Sequence, residues 1–258
     1  MKHSFVDKYS DGHSLIHHLD PRVKLIFTIL FILVVIVTPP ERWWAFLSCF
    51  LILLIMVGLS RVPVIYIMKR SLLVLPFIIV VAISVPFFRG GEIIGSYSLG
   101  VFSVSVTNTG LRIFTGVLTK AWLSAVSLIV LTATTPINSL FKALNQMRFP
   151  KILIMILSFM YRYIFVLYDE LLRMKQARDS RYLGIGIWQN IKTAGSMIGI
   201  LFVRSYERGE RIYASMLSRG YDGTPHILSE LRLSKVDLTF VCLSGLYLLS
   251  IGIIANII

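Results

Sequence analysis

Long apolar stretches interrupted by short polar ones set the organisation of the chain. Runs at roughly 23–38, 43–59, 71–88, 113–134 and 236–257 carry very few charges. Each, with its flanks, can cross about 30 Å of hydrocarbon as a helix. The pattern predicts an all-α polytopic membrane protein with about five transmembrane helices and one domain over residues 1–258. Asp20 followed by Pro21 marks a helix start, because the carboxylate accepts from free N–H groups and proline suits the first helical position. Pro39 and Pro40 end that helix abruptly. Between the third and fourth runs, "RGGEIIGSYSLGVFSVSVTNTG" at 89–110 alternates and is punctuated by Gly and Ser, the pattern of a short hairpin.

Two further segments do not read as simple spans. Residues 150–168, "PKILIMILSFMYRYIFVLY", are apolar but contain Arg162, and residues 187–203 are bounded by Lys192 and Arg204. An interfacial or re-entrant helix is the reading preferred for the first, since a sixth crossing would carry the next basic block outside. Within 160–183, Ile164, Leu167, Tyr168, Leu171 and Leu172 recur at helical spacing, and Asp169 and Arg173 are a favourable i,i+4 pair. In "RSYERGERIYASMLSRGYDG" at 204–223, Tyr206, Tyr213, Met216 and Leu217 share a stripe, while Glu207 and Arg211 form a second such pair. The first amphipathic helix closes on Ala177-Arg178-Asp179. The second closes on Ser218-Arg219-Gly220, where Gly220 suits a left-handed cap. Either arginine alone is explained by the negative end of its helix dipole. Two such helices in one block point to a docking surface, because an apolar face requires cover.

Composition agrees with the pattern: 258 residues, 56% hydrophobic and only 15% charged, with a mean hydropathy of +0.77, lie outside the soluble range. The formal charge of +13 reflects topology rather than nucleic-acid binding, because the basic residues are separated by apolar runs instead of lining one polar face. Of the 26 basic residues, only Arg42, Arg89 and Arg112 fall on external segments when the N-terminus is cytoplasmic, while Lys120 falls within a span. The positive-inside rule therefore favours a cytoplasmic N-terminus, a cytoplasmic or interfacial block at about 135–235 and an external C-terminus. The first residues include Asp7, Asp11 and Asp20 and lack the order of a cleavable signal. Cys49 and Cys242 both lie in apolar runs and read as buried free thiols.

The two blocks "VDKYSDGHSLIHHLDPRVKL" at 6–25 and "RSYERGERIYASMLSRGYDG" at 204–223 resemble the transmembrane T component of energy-coupling factor transporters, above all its cobalt-type branch, the CbiQ family. The resemblance covers nearly the whole chain. It implies two coupling helices ending in Ala-Arg-Gly-like triplets, whose arginines dock in grooves of paired ATP-binding cassette subunits or domains (CbiO-like). The positions here are Ala177, Arg178 and Asp179, and Ser218, Arg219 and Gly220. Asp179 stands for the first triplet's glycine and Ser218 for the second's alanine. Asp169, Arg173, Glu207 and Arg211 would support these helices. The resemblance also implies a separate substrate-capture membrane subunit (CbiM-like), a small accessory one (CbiN-like), and residence in a prokaryotic plasma membrane. ATP and Mg2+ would sit on the ATPases, Co2+ or Ni2+ on the capture subunit, and no cofactor on this chain.

Chemistry-bearing motifs leave little else. There is no G-x-x-x-x-G-K-[ST], H-E-x-x-H, EF-hand or G-x-S-x-G pattern, so no catalytic role is expected and ATP hydrolysis falls to a partner. His13, His17 and His18 lack an evident carboxylate or thiol to complete a metal shell and read as interfacial. The methionines of the cytoplasmic block read as packing. Lys120, in "VLTKAWLSAV", is either a functional intramembrane cation or one that snorkels to the outer surface. Two rivals stand beside the coupling role. A self-contained secondary carrier would use Pro76, Pro86 and Lys120, and a membrane anchor without a transport role would only hold a cytosolic complex in place.

Overall fold

The computed structural model describes residues 12, 14–82, 93–99, 102–181, 186–223 and 234–257. The chain falls into two units, one formed by Ser4–Ala143 with Leu231–Ile258, the other containing Leu144–Glu230. The first holds helices α1 (Leu15–His18), α2 (Pro21–Val37), α3 (Trp43–Ser60), α4 (Val64–Ala82), α5 (Asn108–Thr134) and α9 (Lys235–Ile257), with strands β1 (Ile93–Leu99) and β2 (Phe102–Thr107). Helix α6 (Ile137–Gln146) runs across the boundary, and α7 (Lys151–Asp179) and α8 (Ile187–Leu217) belong to the second unit. The protein is an all-α polytopic membrane protein with one added hairpin. That hairpin is antiparallel, pairing Leu99 with Phe102 and Ser96 with Ser105, with an irregularity between Ile93 and Gly95.

Local chemistry starts and stops these helices as the sequence predicts. Asp20 caps α2 by accepting from the Arg22 amide at 2.9 Å, and Pro21 takes the first helical position. The helix ends at Val37, just before Thr38-Pro39-Pro40. Helix α4 begins earlier than the apolar run at 71 and carries Lys69 and Arg70 in its first half. Residues 83–88 of that run, Pro86 among them, lie outside the described residues. At Gly116 a Cβ would sit 2.5 Å from that of Pro40; α5 can approach the Pro40 turn because this residue has no side chain.

Helix α5 is the axis of the first unit, packing against α2, α3 and α4, while α9 closes on α2 and α3. Phe27, Phe31 and Val35 are four residues apart and line the buried face of α2, meeting Cys49 and Leu53 of α3, Leu123 and Val130 of α5, and Leu248 and Ile251 of α9. The outer faces are just as apolar: Leu47, Leu51 and Leu54 on α3, Leu72, Phe77 and Val80 on α4, and Leu243 and Leu246 on α9 are exposed. Helices hydrophobic on every side belong in a bilayer. Among the described residues, α3, α5, α7 and α9 are long and apolar enough to cross a membrane. Helix α7 is in that set by length and composition, which an interfacial helix of the same apolarity also satisfies. Because 151–179 is one uninterrupted helix, residues 150–168 do not form a re-entrant loop, which would have to turn back on itself. A second correction concerns the thiols: Cys49 is buried, but Cys242 is exposed on α9, where an apolar run does not distinguish a lipid-facing position from a protein-facing one.

Three cations in this unit each donate to a carbonyl at the C-terminal end of another helix. Lys24 Nζ reaches Thr134 O of α5 at 3.1 Å, Lys120 Nζ reaches Ile36 O of α2 at 2.8 Å, and Arg42 Nη1 reaches Ile254 O of α9 at 3.2 Å. The last carbonyls of a helix have no intrahelical donor and carry the negative end of its dipole. A neighbouring cation satisfies both at once. Lys120 is thus engaged as an interhelical cap. Lys120→Met is expected to lower stability in detergent by about 1 kcal/mol, while Lys120→Arg retains it; thermal unfolding of the two variants is the check.

Candidate functional site

The second unit is built on two long helices. At 1.5 Å per residue, α7 and α8 extend for about 45 Å each. They pack on one another, and their register follows from named contacts. Near the middle of the pair, Arg204 of α8 is ion-paired to Glu170 of α7. At the other end, the Tyr221 hydroxyl beyond α8 meets the Met155 sulfur in the first turns of α7. The helices therefore run antiparallel, the C-terminus of α8 lying beside the N-terminal part of α7.

The antiparallel arrangement separates the two arginines. Arg219 follows the end of α8, near Met155, whereas Arg178 is in the last turn of α7. Counting from Met155 to Arg178 along a single helix gives a separation of about 35 Å.

Each end is built differently. Helix α8 finishes in a Schellman turn: Gly220 N donates to Leu217 O at 3.0 Å, Tyr221 N donates to Met216 O at 3.1 Å, and Gly220 has φ +80°. Glycine takes this left-handed position without steric cost. Ser218, Arg219 and Gly220 are all exposed, and the Ser218 hydroxyl donates back to the Ser215 carbonyl at 2.9 Å. At the end of α7, Ala177 is exposed and Arg178 half-buried. Arg178 donates through Nε (3.0 Å) and Nη2 (2.7 Å) to one carboxylate oxygen of Asp179. The residue standing where the family motif has glycine thus holds the neighbouring guanidinium to one side.

Arg211 lies 3.7 Å from Glu207 as spacing predicts. Arg173 reaches Glu170 at 3.2 Å, an i,i+3 pair on the same helix. Glu170 is missed by sequence reasoning because its second partner, Arg204, comes from the other helix, and nothing local marks an interhelical bridge. Its half-buried carboxylate receives an arginine from each side, which fixes the sliding register of the pair.

Between α7 and α8 runs a groove of about 470 Å3, lined by Phe159, Tyr163, Leu167, Ile212, Met216 and others, with Arg208 at its wall. None of the described residues of α8 is buried. Ile198, Phe202 and Tyr206 on α8, and Ile156, Met160 and Ile164 on α7, are among the large apolar side chains left open. Surfaces of this kind need lipid or protein cover.

Among the described residues no three His, Cys, Asp or Glu side chains converge as metal ligands. His17 Nδ1 is 2.6 Å from Ser14 Oγ, and His13 lies outside the described residues.

A model of the CbiQ family, described as a cobalt transport protein, matches residues 12–229. The chain belongs to the CbiQ family. Relatives of this CbiQ-family chain include a putative fused cobalt transport protein CbiMQ of Methanocorpusculum labreanum, 34% identical over 206 residues, which are 78% of this chain and 34% of that protein. The chain thus spans about a third of that relative's length. The energy-coupling factor transporter transmembrane protein EcfT of Limosilactobacillus fermentum is 28% identical across 81% of this chain and 80% of its own length. The protein of the same name in Bacillus subtilis is 28% identical across 86% of each. The family match, which runs to residue 229, takes in both arginine-ended helices and stops before α9.

Proposed function

We propose that this CbiQ-family chain is the non-catalytic transmembrane coupling subunit of an ATP-driven importer in the prokaryotic plasma membrane, with its N-terminus cytoplasmic and cobalt ion as the cargo. The observation that carries the reading is the antiparallel α7–α8 pair with Arg178 and Arg219 about 35 Å apart. One arginine at each end suits two ATP-binding cassette subunits, each offering one acidic or carbonyl-lined groove. A guanidinium at a helix end can make bidentate contact with such a groove. When ATP draws the two ATPases together, the two ends are driven relative to one another. The exposed apolar stems of α7 and α8 would carry that motion to a substrate-capture membrane subunit. This is a rigid-element transmission of the kind that interface rotations use.

Cobalt is favoured by the family description and by the name of the fused relative; that name also supports a capture subunit of the CbiM type as partner. A CbiO-like ATPase pair and a CbiN-like accessory subunit complete the proposal. No cofactor is assigned to this chain: ATP and Mg2+ bind the ATPases and Co2+ the capture subunit, with Ni2+ as the competing cargo. The engagement of Lys120 by the Ile36 carbonyl counts against the secondary-carrier reading, which needs that cation for substrate.

The test is reconstitution in proteoliposomes of the chain alone, and of the chain with its ATPase and capture subunits, followed by Co2+ uptake with and without ATP. ATP-dependent uptake by the complex and none by the lone chain is expected. Uptake by the lone chain would transfer the assignment to a secondary carrier.

The Arg178–Asp179 pair gives a finer prediction. An exposed ion pair is worth about 0–1 kcal/mol, so a docking groove that needs the whole guanidinium must overcome up to that amount. Asp179→Asn is expected to tighten ATPase binding by up to about fivefold, read by titration of the purified ATPase onto the chain in nanodiscs.

A further inference from the structure

The unit containing 144–230 is inserted between two segments of the membrane unit. Its chain leaves the membrane unit from α5 by way of α6 and comes back into α9. The end of α5 and the start of α9 both meet a small group of buried residues near the start of α2. On the outgoing side, Lys24 Nζ donates to the carbonyl of Thr134, the last residue of α5, at 3.1 Å. On the returning side, Asp237 in the first turn of α9 accepts from the Ser234 amide through Oδ2 at 2.7 Å and from the Asp20 amide through Oδ1 at 2.8 Å. Asp20 in turn caps α2 and lies 3.9 Å from Arg22 Nε. Asp20, Lys24, Thr134 and Asp237 are all buried, at 6%, 3%, 1% and 3% exposure. Two carboxylates and two basic side chains are thus concentrated where four chain segments meet, and Lys24 also reaches the His17 carbonyl at 3.5 Å.

Fold stability alone does not ask for this arrangement. Replacing buried ion pairs by well-packed apolar residues is often neutral or stabilising, whereas groups with fixed hydrogen-bonding directions specify one arrangement over its neighbours. Here the specified quantity is the position, within the membrane unit, of the end of α5 and the start of α9, the membrane helices that precede and follow the inserted segment. We propose that Asp20, Lys24 and Asp237 form a clasp that fixes the end of α5 and the start of α9 to α2, so that the membrane helices leading to and from the inserted unit stay fixed when force is applied at Arg178 and Arg219. These are positioning residues. This inference rests on the coupling role proposed above.

In mechanical terms, a lever whose attachment yields dissipates displacement at the attachment. Loosening the clasp should leave docking intact and ATP hydrolysis running while transport declines. The experiment uses the full complex of chain, ATPases and capture subunit in proteoliposomes and reads three quantities: subunit stoichiometry, ATP hydrolysis, and Co2+ taken up per ATP hydrolysed. Lys24→Met is expected to keep stoichiometry and at least half of the hydrolysis rate while uptake per ATP falls at least tenfold. Lys24→Arg, which can still donate to Thr134 O, is expected to recover most of the ratio.

Because Lys24→Met leaves buried carboxylates short of a cation and can fail to fold, the double variant Lys24→Met, Asp237→Asn is made beside it. It restores charge balance without restoring the donor to Thr134, so the lowered ratio is expected to persist. Hydrolysis and uptake falling in equal proportion, or a normal ratio in the double variant, would overturn the clasp as a coupling element. A native complex that shows no ATP-dependent uptake at all removes the coupling reading and this inference with it, an outcome distinguishable from the first two because it appears before any substitution is made.

Discussion

Arg219→Glu is expected to weaken association with the ATPase at least tenfold and to abolish most coupled uptake, with the chain still inserted and folded. Arg219 is exposed after the Schellman turn, so its replacement removes no buried contact. A Glu there faces the negative end of the α8 dipole at a cost of about 0.3–1 kcal/mol, too little to unfold a 31-residue helix that packs against α7 and is tied to it by the Arg204–Glu170 ion pair. At a docking groove the loss is larger. A charge-assisted hydrogen bond contributes about 1.5–3 kcal/mol, and reversal of sign adds repulsion to its removal. Pull-down of the ATPase by chain in nanodiscs, with circular dichroism as the folding control, measures the effect. Because Arg178 lies at the other end of the pair, Arg178→Glu is expected to disturb a separate contact. Each single variant should retain one attachment, and the double variant none. Binding and uptake unchanged in the double variant at normal expression would end the docking role of both residues.

The second large effect concerns the membrane core. Phe31→Ala is expected to destabilise the protein by about 3–5 kcal/mol, the range for truncating a buried aromatic. Phe31 is 0% exposed and sits among residues of the same buried cluster as Cys49 and Leu248. Cys49 provides the measurement, since it is buried at 1% and its thiol reacts only when the bundle opens. In a Cys242→Ser background, the rate of labelling at Cys49 should rise by about a hundredfold or more, as 1.4 kcal/mol corresponds to a factor of ten. Phe77→Ala, at a position 73% exposed on α4, should change it by less than about threefold. Equal rates in the two variants would mean that Phe31 is not part of the load-carrying packing.

Features that depend on a few consecutive residues were legible in the sequence. Asp20-Pro21 starts α2, Pro39-Pro40 ends it, Gly220 takes the left-handed position after α8, and Glu207 pairs with Arg211, because each is decided by backbone geometry within one or two turns. The arginine-ended helices were legible for the same reason. What remained hidden involves partners far apart in the chain. The Asp20–Asp237 bond joins residues separated by 217 positions, Glu170 takes its second arginine from α8, and Lys120 finds its acceptor on α2. The exposure of Cys242 and the antiparallel order that sends Arg178 and Arg219 to opposite ends were hidden too. In water the apolar face of a helix identifies its buried side. In a bilayer, lipid tails are as apolar as the neighbouring helices, so hydrophobicity names the spans without saying which face packs, and only tertiary packing and directed polar contacts choose among the possible pairings.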